Sequence, residues 1–252
     1  MKTSNRQKAI AFTAGFETGA LHLLDYLHPT KYIEHEVAAP DGVEGMAGLL
    51  NILPEGSPKP NIVRAIEDGD TVFTHTEYNF FGRQAAIDIF RFEDGLIVEH
   101  WDNIQEFALP NPSGRTMIDG TTEVKDPDKT DENKALVSNF VNEVYVQGKV
   151  DKLAGYFDGD NYIQHSPSVA DGLSGFKKQL GEWSAKGIKY DTIHKVLGEG
   201  NFVLVISEGQ SNGKHTAFYD LFSVENGKIA EHWDIIMEIP PREAWKNDNG
   251  KF

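Results

Sequence analysis

Apolar positions near the start of the chain fall at helical spacing: Ala9, Phe12, Thr13, Phe16 and Ala20 line one face. Ser4, with Gln7 three residues on, reads as the capping box that opens this helix. A second short helix is expected at Leu21, Leu24 and Leu27, and a third at Val43, Met46, Leu50 and Leu53. The pattern then shifts to β-rich runs punctuated by turn signals at Asp68-Gly69, Phe81-Gly82 and Asp94-Gly95.

The same order recurs further along. Leu136, Phe140, Val141, Val144 and Tyr145 form a helical stripe with Gly148 as its stop. Val150, Leu153 and Phe157 match the second helix, and Leu173, Phe176, Leu180 and Trp183 the third. Turns follow at Gly200-Asn201, Asn212-Gly213 and Asn226-Gly227. The match extends to identities. Tyr32-Ile33-Glu34-His35 returns as Tyr162-Ile163-Gln164-His165, and Asp41-Gly42 as Asp171-Gly172, both at an offset of 130. Asp88 to Ile104 aligns with Asp220 to Ile236 at an offset of 132, with ten of seventeen positions identical. The chain is one module written twice, and helices followed by antiparallel strands make it α+β. The modules are expected at 1–112 and 131–252, joined by a polar linker at 113–130 that follows Pro110-Asn111-Pro112.

Composition narrows the partners. Lys and Arg number 24 against 39 Asp and Glu, a formal charge of −15, which repels phosphate backbones and anionic lipid heads. Nucleic acid and membrane partners are not expected. The chain has no cysteine, which excludes disulfides and thiolate chemistry and suits a cytoplasmic location. No signal-peptide core and no membrane-length apolar run is present.

Candidate chemistry sits on the last hairpin of each module. With Glu93-Asp94-Gly95 as a three-residue turn, Asp88 lies opposite His100 and Phe90 opposite Val98. Alternation then puts Asp88, Phe90, His100 and Asp102 on one face, and Glu99 and Trp101 on the other, towards the partner module. Asp220, Phe222, His232 and Asp234 repeat the arrangement. A two-residue turn would instead split the cluster. Carboxyls and an imidazole among phenylalanines shift one another's pKa, as proton transfer beside a carbonyl requires. The structural reading of the same residues is a buried Asp-His pair that satisfies itself. His35 and His165 follow Tyr-Ile before an Asp-Gly loop and read either as pocket groups or as capping or surface residues. A metal triad of His35, His100 and Asp102 has suitable residue types but no supporting spacing, so no metal and no cofactor is expected. Trp101 and Trp233 read as packing anchors, and Glu77 and Glu208 as solvent-face or ion-pair residues.

At Tyr-Ile-Gln-His, Asp-Leu-Phe, Glu-Asn-Gly-Lys-Ile and Glu-His-Trp-Asp the sequence resembles the SnoaL-like polyketide cyclase group of the nuclear transport factor 2-like superfamily. The resemblance implies a cone-shaped, cystatin-like α+β roll with a pocket between helices and sheet. It implies that the two copies pair as an intrachain pseudo-dimer, with further homo-oligomerisation open. It also implies metal-free aldol-type cyclisation or isomerisation, with Asp102 and Asp234 as acid/base groups. His35, Asp88, His165 and Asp220 would be the other catalytic pocket positions, and His100, His232, Phe90 and Phe222 would contact substrate. The expected ligand is a small hydrophobic or carbonyl-containing molecule. The competing expectation is a non-catalytic binding or scaffolding module of the same fold.

Overall fold

The computed structural model describes residues 3–17, 21–54 and 58–252; Ala20, the last position of the first apolar stripe, lies outside them. Ser4 caps helix α1 (Asn5–Ala14): its hydroxyl accepts from the Gln7 amide while the Gln7 side chain returns to the Ser4 amide. The chain then runs through a 3-10 turn (Leu21–Tyr26), strand β1 (Ile33–Glu34) and helix α2 (Gly42–Ile52). Four strands follow: β2 (Asn61–Asp68), β3 (Thr71–Tyr78), β4 (Gln84–Glu93) and β5 (Leu96–Glu106). The second copy repeats the order. Helix α3 (Thr130–Phe140) continues as a π-helical segment, Val141–Val146. Then come β6 (Ile163–Gln164), α4 (Gly172–Trp183), β7 (Lys189–Glu199), β8 (Phe202–Ser211), β9 (Lys214–Glu225) and β10 (Lys228–Glu238). No helix among the described residues is long and apolar enough to cross a membrane.

Each copy builds a five-stranded sheet, ordered β1-β5-β4-β3-β2 and β6-β10-β9-β8-β7. Neighbours are antiparallel except at one edge, where the two-residue strand β1 runs parallel to β5, and β6 parallel to β10. The fold is thus the expected tandem α+β duplication, with mixed rather than purely antiparallel sheets. Helix aromatics close each core edge-on against the sheet. Phe12 meets Phe90 at 5.6 Å and Phe140 meets Phe222 at 5.7 Å between ring centroids.

The chain divides into two compact units: Met1–Glu106 with Ile239–Phe252, and Phe107–Glu238. Residues 113–130, expected as the polar linker, fall within unit 2. Asn111 Nδ2 donates to the Gln164 carbonyl (2.6 Å), and the Lys125 amide donates to Asn201 Oδ1 (2.7 Å). The closing segment lies inside unit 1, where Asn247 Nδ2 donates to the Glu36 and Ala39 carbonyls and Asn249 Nδ2 to that of Glu34, each at 2.9 Å.

The hairpin turn differs from the three-residue expectation. Glu93 pairs with Leu96, leaving Asp94-Gly95 as a two-residue turn with positive φ at both positions (51° and 79°), the geometry that matches strand twist. The register then shifts between Arg91 and Phe92, where Val98 is the extra residue of a bulge. Beyond it Phe90 faces His100 and Asp88 faces Asp102. The bulge restores the alternation that a bare two-residue turn would invert, so the expected face survives with different partners. Ile97, not Val98, joins the inner core. Copy two does the same, with Asn226-Gly227 in the turn and Ala230 as the extra residue.

Candidate functional site

In unit 1, β4 and β5 bring Asp88, His100 and Asp102 onto the inner face, all buried. The His100 ring is clamped from both edges. Nδ1 lies 3.0 Å from Glu34 Oε1 on β1, and Nε2 lies 3.4 Å from Asp88 Oδ1. Burial alone would lower the His100 pKa, but Glu34 and Asp88 raise it well above the ordinary imidazole value. Burial likewise opposes ionisation of Glu34, yet the His100 charge and hydrogen bond hold that carboxyl below its usual range. Tyr78 on β3 donates to Asp88 Oδ2 at 2.9 Å, and Tyr32 donates to Glu34 Oε2 at 2.7 Å. Burial and the Asp88 carboxylate push the Tyr78 phenol up, so it remains a donor.

A second group adjoins this one. Lys251, from the closing segment, is buried and donates to Glu36 Oε2 (2.6 Å) and to Asp102 Oδ1 (3.3 Å). Burial and then the neighbouring Asp102 carboxylate push Glu36 up to about 7, against the pull of Lys251. Burial would lower Lys251, but Asp102 and Glu36 keep it above its ordinary value. Glu34, Glu36, His100 and Asp102 line a cavity of about 620 Å³ whose walls include Leu49 and Ile104. An apolar recess of about 170 Å³, lined by Phe16, Met46, Tyr78 and Phe80, shares Leu49, His100, Asp102 and Ile104 with it.

Unit 2 uses the same scaffold with different wiring. His232 Nε2 lies 2.9 Å from Asp220 Oδ1, but Nδ1 faces the amide oxygen of Gln164 (2.9 Å), which stands where unit 1 has Glu34. Tyr190 on β7 takes the role of Tyr78, 3.2 Å from Asp220 Oδ2. Phe218 occupies the position of Ala86, and Tyr190 stacks on it at 4.1 Å, filling the space beside Asp220. Asp234 accepts from Ser166 Oγ at 2.7 Å and, unlike Asp220 and His232, lines a cavity of about 280 Å³. Burial, reinforced by Asp220, raises its pKa against the pull of His232 and Ser166.

The structure does not bring His35 or His165 to these groups. Glu34 at the end of β1 and Glu36 just beyond it face the cavity, whereas His35 between them turns to the other side, where its ring stacks on Trp101 at 4.5 Å. There its Nδ1 lies 2.9 Å from the Gly250 carbonyl oxygen. His165 stacks on Trp233 at 4.6 Å, with Nδ1 2.7 Å from Asp119 Oδ1 and Nε2 2.9 Å from Glu231 Oε2. Trp101 and Trp233 thus anchor these imidazoles. Phe90 and Phe222 are fully buried and stack on His100 and His232, lining none of the cavities described. Glu77 pairs with Arg83, and Glu208 with His194 and His215. Sequence reasoning missed Glu34, Glu36 and Lys251. Alternation through Glu34-His35-Glu36 was the available signal for the first two, had the stretch been read as a strand; nothing in the pattern marks Lys251.

Asp88, His100 and Asp102 offer ligand-type atoms within 4.8 Å of one another, as do Asp220, His232 and Asp234. In unit 1 both ring nitrogens of His100 already face carboxyl groups, Nδ1 towards Glu34 and Nε2 towards Asp88.

Solved structures similar to this chain match about the length of one copy. One is an NTF2-like protein of unknown function from Cytophaga hutchinsonii (16% identity, 42% of this chain and 93% of that one, TM-score 0.37). Another is TsrD from Streptomyces laurentii (24% identity, 42% and 91%, TM-score 0.36). A third is a putative polyketide cyclase from Bacillus cereus (24% identity, 39% and 72%, TM-score 0.35). No family model matches the chain, and no curated protein sequence does.

Proposed function

We propose that unit 1 is an acid–base site for a small, mainly apolar carbonyl compound, promoting isomerisation or intramolecular aldol closure without a metal. Asp102 accepts the proton from the carbon beside the carbonyl. Glu36, in its protonated form, donates to the carbonyl oxygen. The substrate C–H and the Glu36 O–H break, an O–H forms on Asp102 and another on the enol, and nothing is oxidised or reduced. The resulting enol carbon then takes a proton elsewhere or attacks a second carbonyl of the same molecule. Lys251 is a positioning residue that holds the two carboxyls together. The observation carrying this reading is that two carboxyls on one lysine, one raised to about 7, line one cavity with apolar walls.

The test is exchange of solvent deuterium into the α-position of small cyclic ketones and 1,3-diketones, followed by proton NMR. Exchange above the buffer rate is expected in the wild-type chain, falling at least a hundredfold in Asp102→Asn. Because Glu36 must be protonated to donate, the rate should fall as pH rises through about 7, and Glu36→Gln should remove that limb. Exchange at the buffer rate across the panel, with the same compounds binding, would favour the non-catalytic reading, as would exchange indifferent to Asp102→Asn.

A further inference from the structure

Unit 2 keeps the aspartate but lacks the lysine. Asp102 and Asp234 are equivalent by sequence offset and by register, each facing the aspartate of the preceding strand. In unit 1 the Asp102 carboxylate is met by a buried ammonium, Lys251 Nζ. In unit 2 Ser166 occupies the position of Glu36 and donates to Asp234 Oδ2. Asp234 Oδ1 is buried and meets no donor outside its own residue. A buried carboxylate oxygen left without a donor is costly, and such groups in native proteins are normally matched by a protein group, a water or a ligand.

Asp234 also lines a cavity that can hold a ligand. Its volume of about 280 Å³ exceeds that of an engineered cavity of about 150 Å³ that takes benzene. Gln179 Oε1, a second buried acceptor without a partner, belongs to a residue lining the same cavity. Val169, Trp183, Ile188 and Ile236 supply apolar wall. Lys178 and Lys186 stand exposed at the rim, and Lys186 Nζ donates to Glu182 at 2.8 Å.

We infer that the unit 2 cavity is a binding site for a small primary amine, whose ammonium takes at Asp234 the place that Lys251 holds at Asp102. The ammonium N–H groups donate to Asp234 Oδ1 and Gln179 Oε1, and the apolar body of the ligand lies against Trp183 and Ile236. No bond is made or broken. The site is independent of the acid–base reading of unit 1.

Calorimetry with 2-phenylethylamine and its neutral counterpart 2-phenylethanol tests this on the full chain at 0.15 M salt. One amine per chain should bind, at least tenfold more tightly than the alcohol, and Asp234→Asn should abolish the preference. Gln179→Leu, on the outer part of α4, should weaken the amine several-fold and leave the alcohol unchanged, which keeps the test alive if Asp234→Asn fails to fold. Equal binding of amine and alcohol to the wild-type chain would overturn the inference. So would an amine preference that survives both variants, the outcome expected of attraction to an acidic surface alone.

Discussion

His100 and His232 show how one residue change alters the partners of an imidazole. Both face an aspartate through Nε2, but Nδ1 meets Glu34 in one unit and Gln164 in the other. Two carboxylates raise the His100 pKa against the pull of burial. Because its folded pKa is raised, the stability it contributes is complete below its unfolded value and is lost as pH rises through the folded one. Glu34 has the opposite sign: its folded pKa is depressed, so its contribution is present above the ordinary carboxyl value and is lost as pH falls through the folded one. Glu34→Gln should therefore lower the His100 pKa, read by imidazole NMR, and cost about 2 kcal/mol at pH 7 through loss of a charged hydrogen bond. Unchanged His100 titration would show that Glu34 is not its counter-charge. The aspartates and histidines were visible in sequence because a repeat preserved them. Glu34 on β1 and Glu36 just past it were not, because a strand of two residues leaves no period to read.

At the scale of elements, the hairpin shows why a correct face can come from an incorrect turn. Asp94-Gly95 and Asn226-Gly227 are the dipeptides that favour a two-residue turn, and both adopt it. What sequence does not announce is a bulge, since the extra residue is simply a valine or an alanine. In both units the strand beyond the bulge is in phase with the aspartate opposite. Deleting Val98 should thus leave Arg91 opposite Glu99 and Asp88 opposite Asp102, keeping the site. The expected cost is about 1–2 kcal/mol for the lost Val98 side chain, measured by denaturant unfolding, with His100 still titrating as a buried cation. Loss of the His100 signal in a folded deletion variant would mean that the bulge sets more than phase. The first and third helices of each copy were legible, because their apolar stripes run over several turns and Ser4 and Gln7 mark a start; the short second helix expected in each copy is a 3-10 segment instead, Leu21–Tyr26 and Val150–Gly155.

At the scale of the molecule, duplication produced two units with one scaffold and two different insides. Unit 1 has an open cavity with a lysine-bridged carboxyl pair; unit 2 has aromatics packed beside Asp220 and an unpaired oxygen on Asp234. The repeat made the scaffold legible and concealed the difference, because it directs attention to what the copies share. Lys251 lies 149 positions from Asp102 and past the last aligned block of the repeat, so no local pattern could connect them. Removing it as Lys251→Met leaves the buried Asp102 and the partly buried Glu36 without a cation. That should cost about 3–5 kcal/mol in stability at neutral pH and move the Glu36 pKa further up. The sign follows from linkage: Glu36 is already raised, so its ionisation weakens the fold as pH climbs from the ordinary carboxyl range through about 7.

The carboxyl pair in unit 1 is the centre of the account, and it is tested most directly by a carbon-13 NMR titration of the Glu36 side-chain carboxyl in the wild-type chain. A midpoint of about 7, moving higher in Lys251→Met, is the expected result. A midpoint at the ordinary value of about 4.5, indifferent to Lys251→Met, would contradict it.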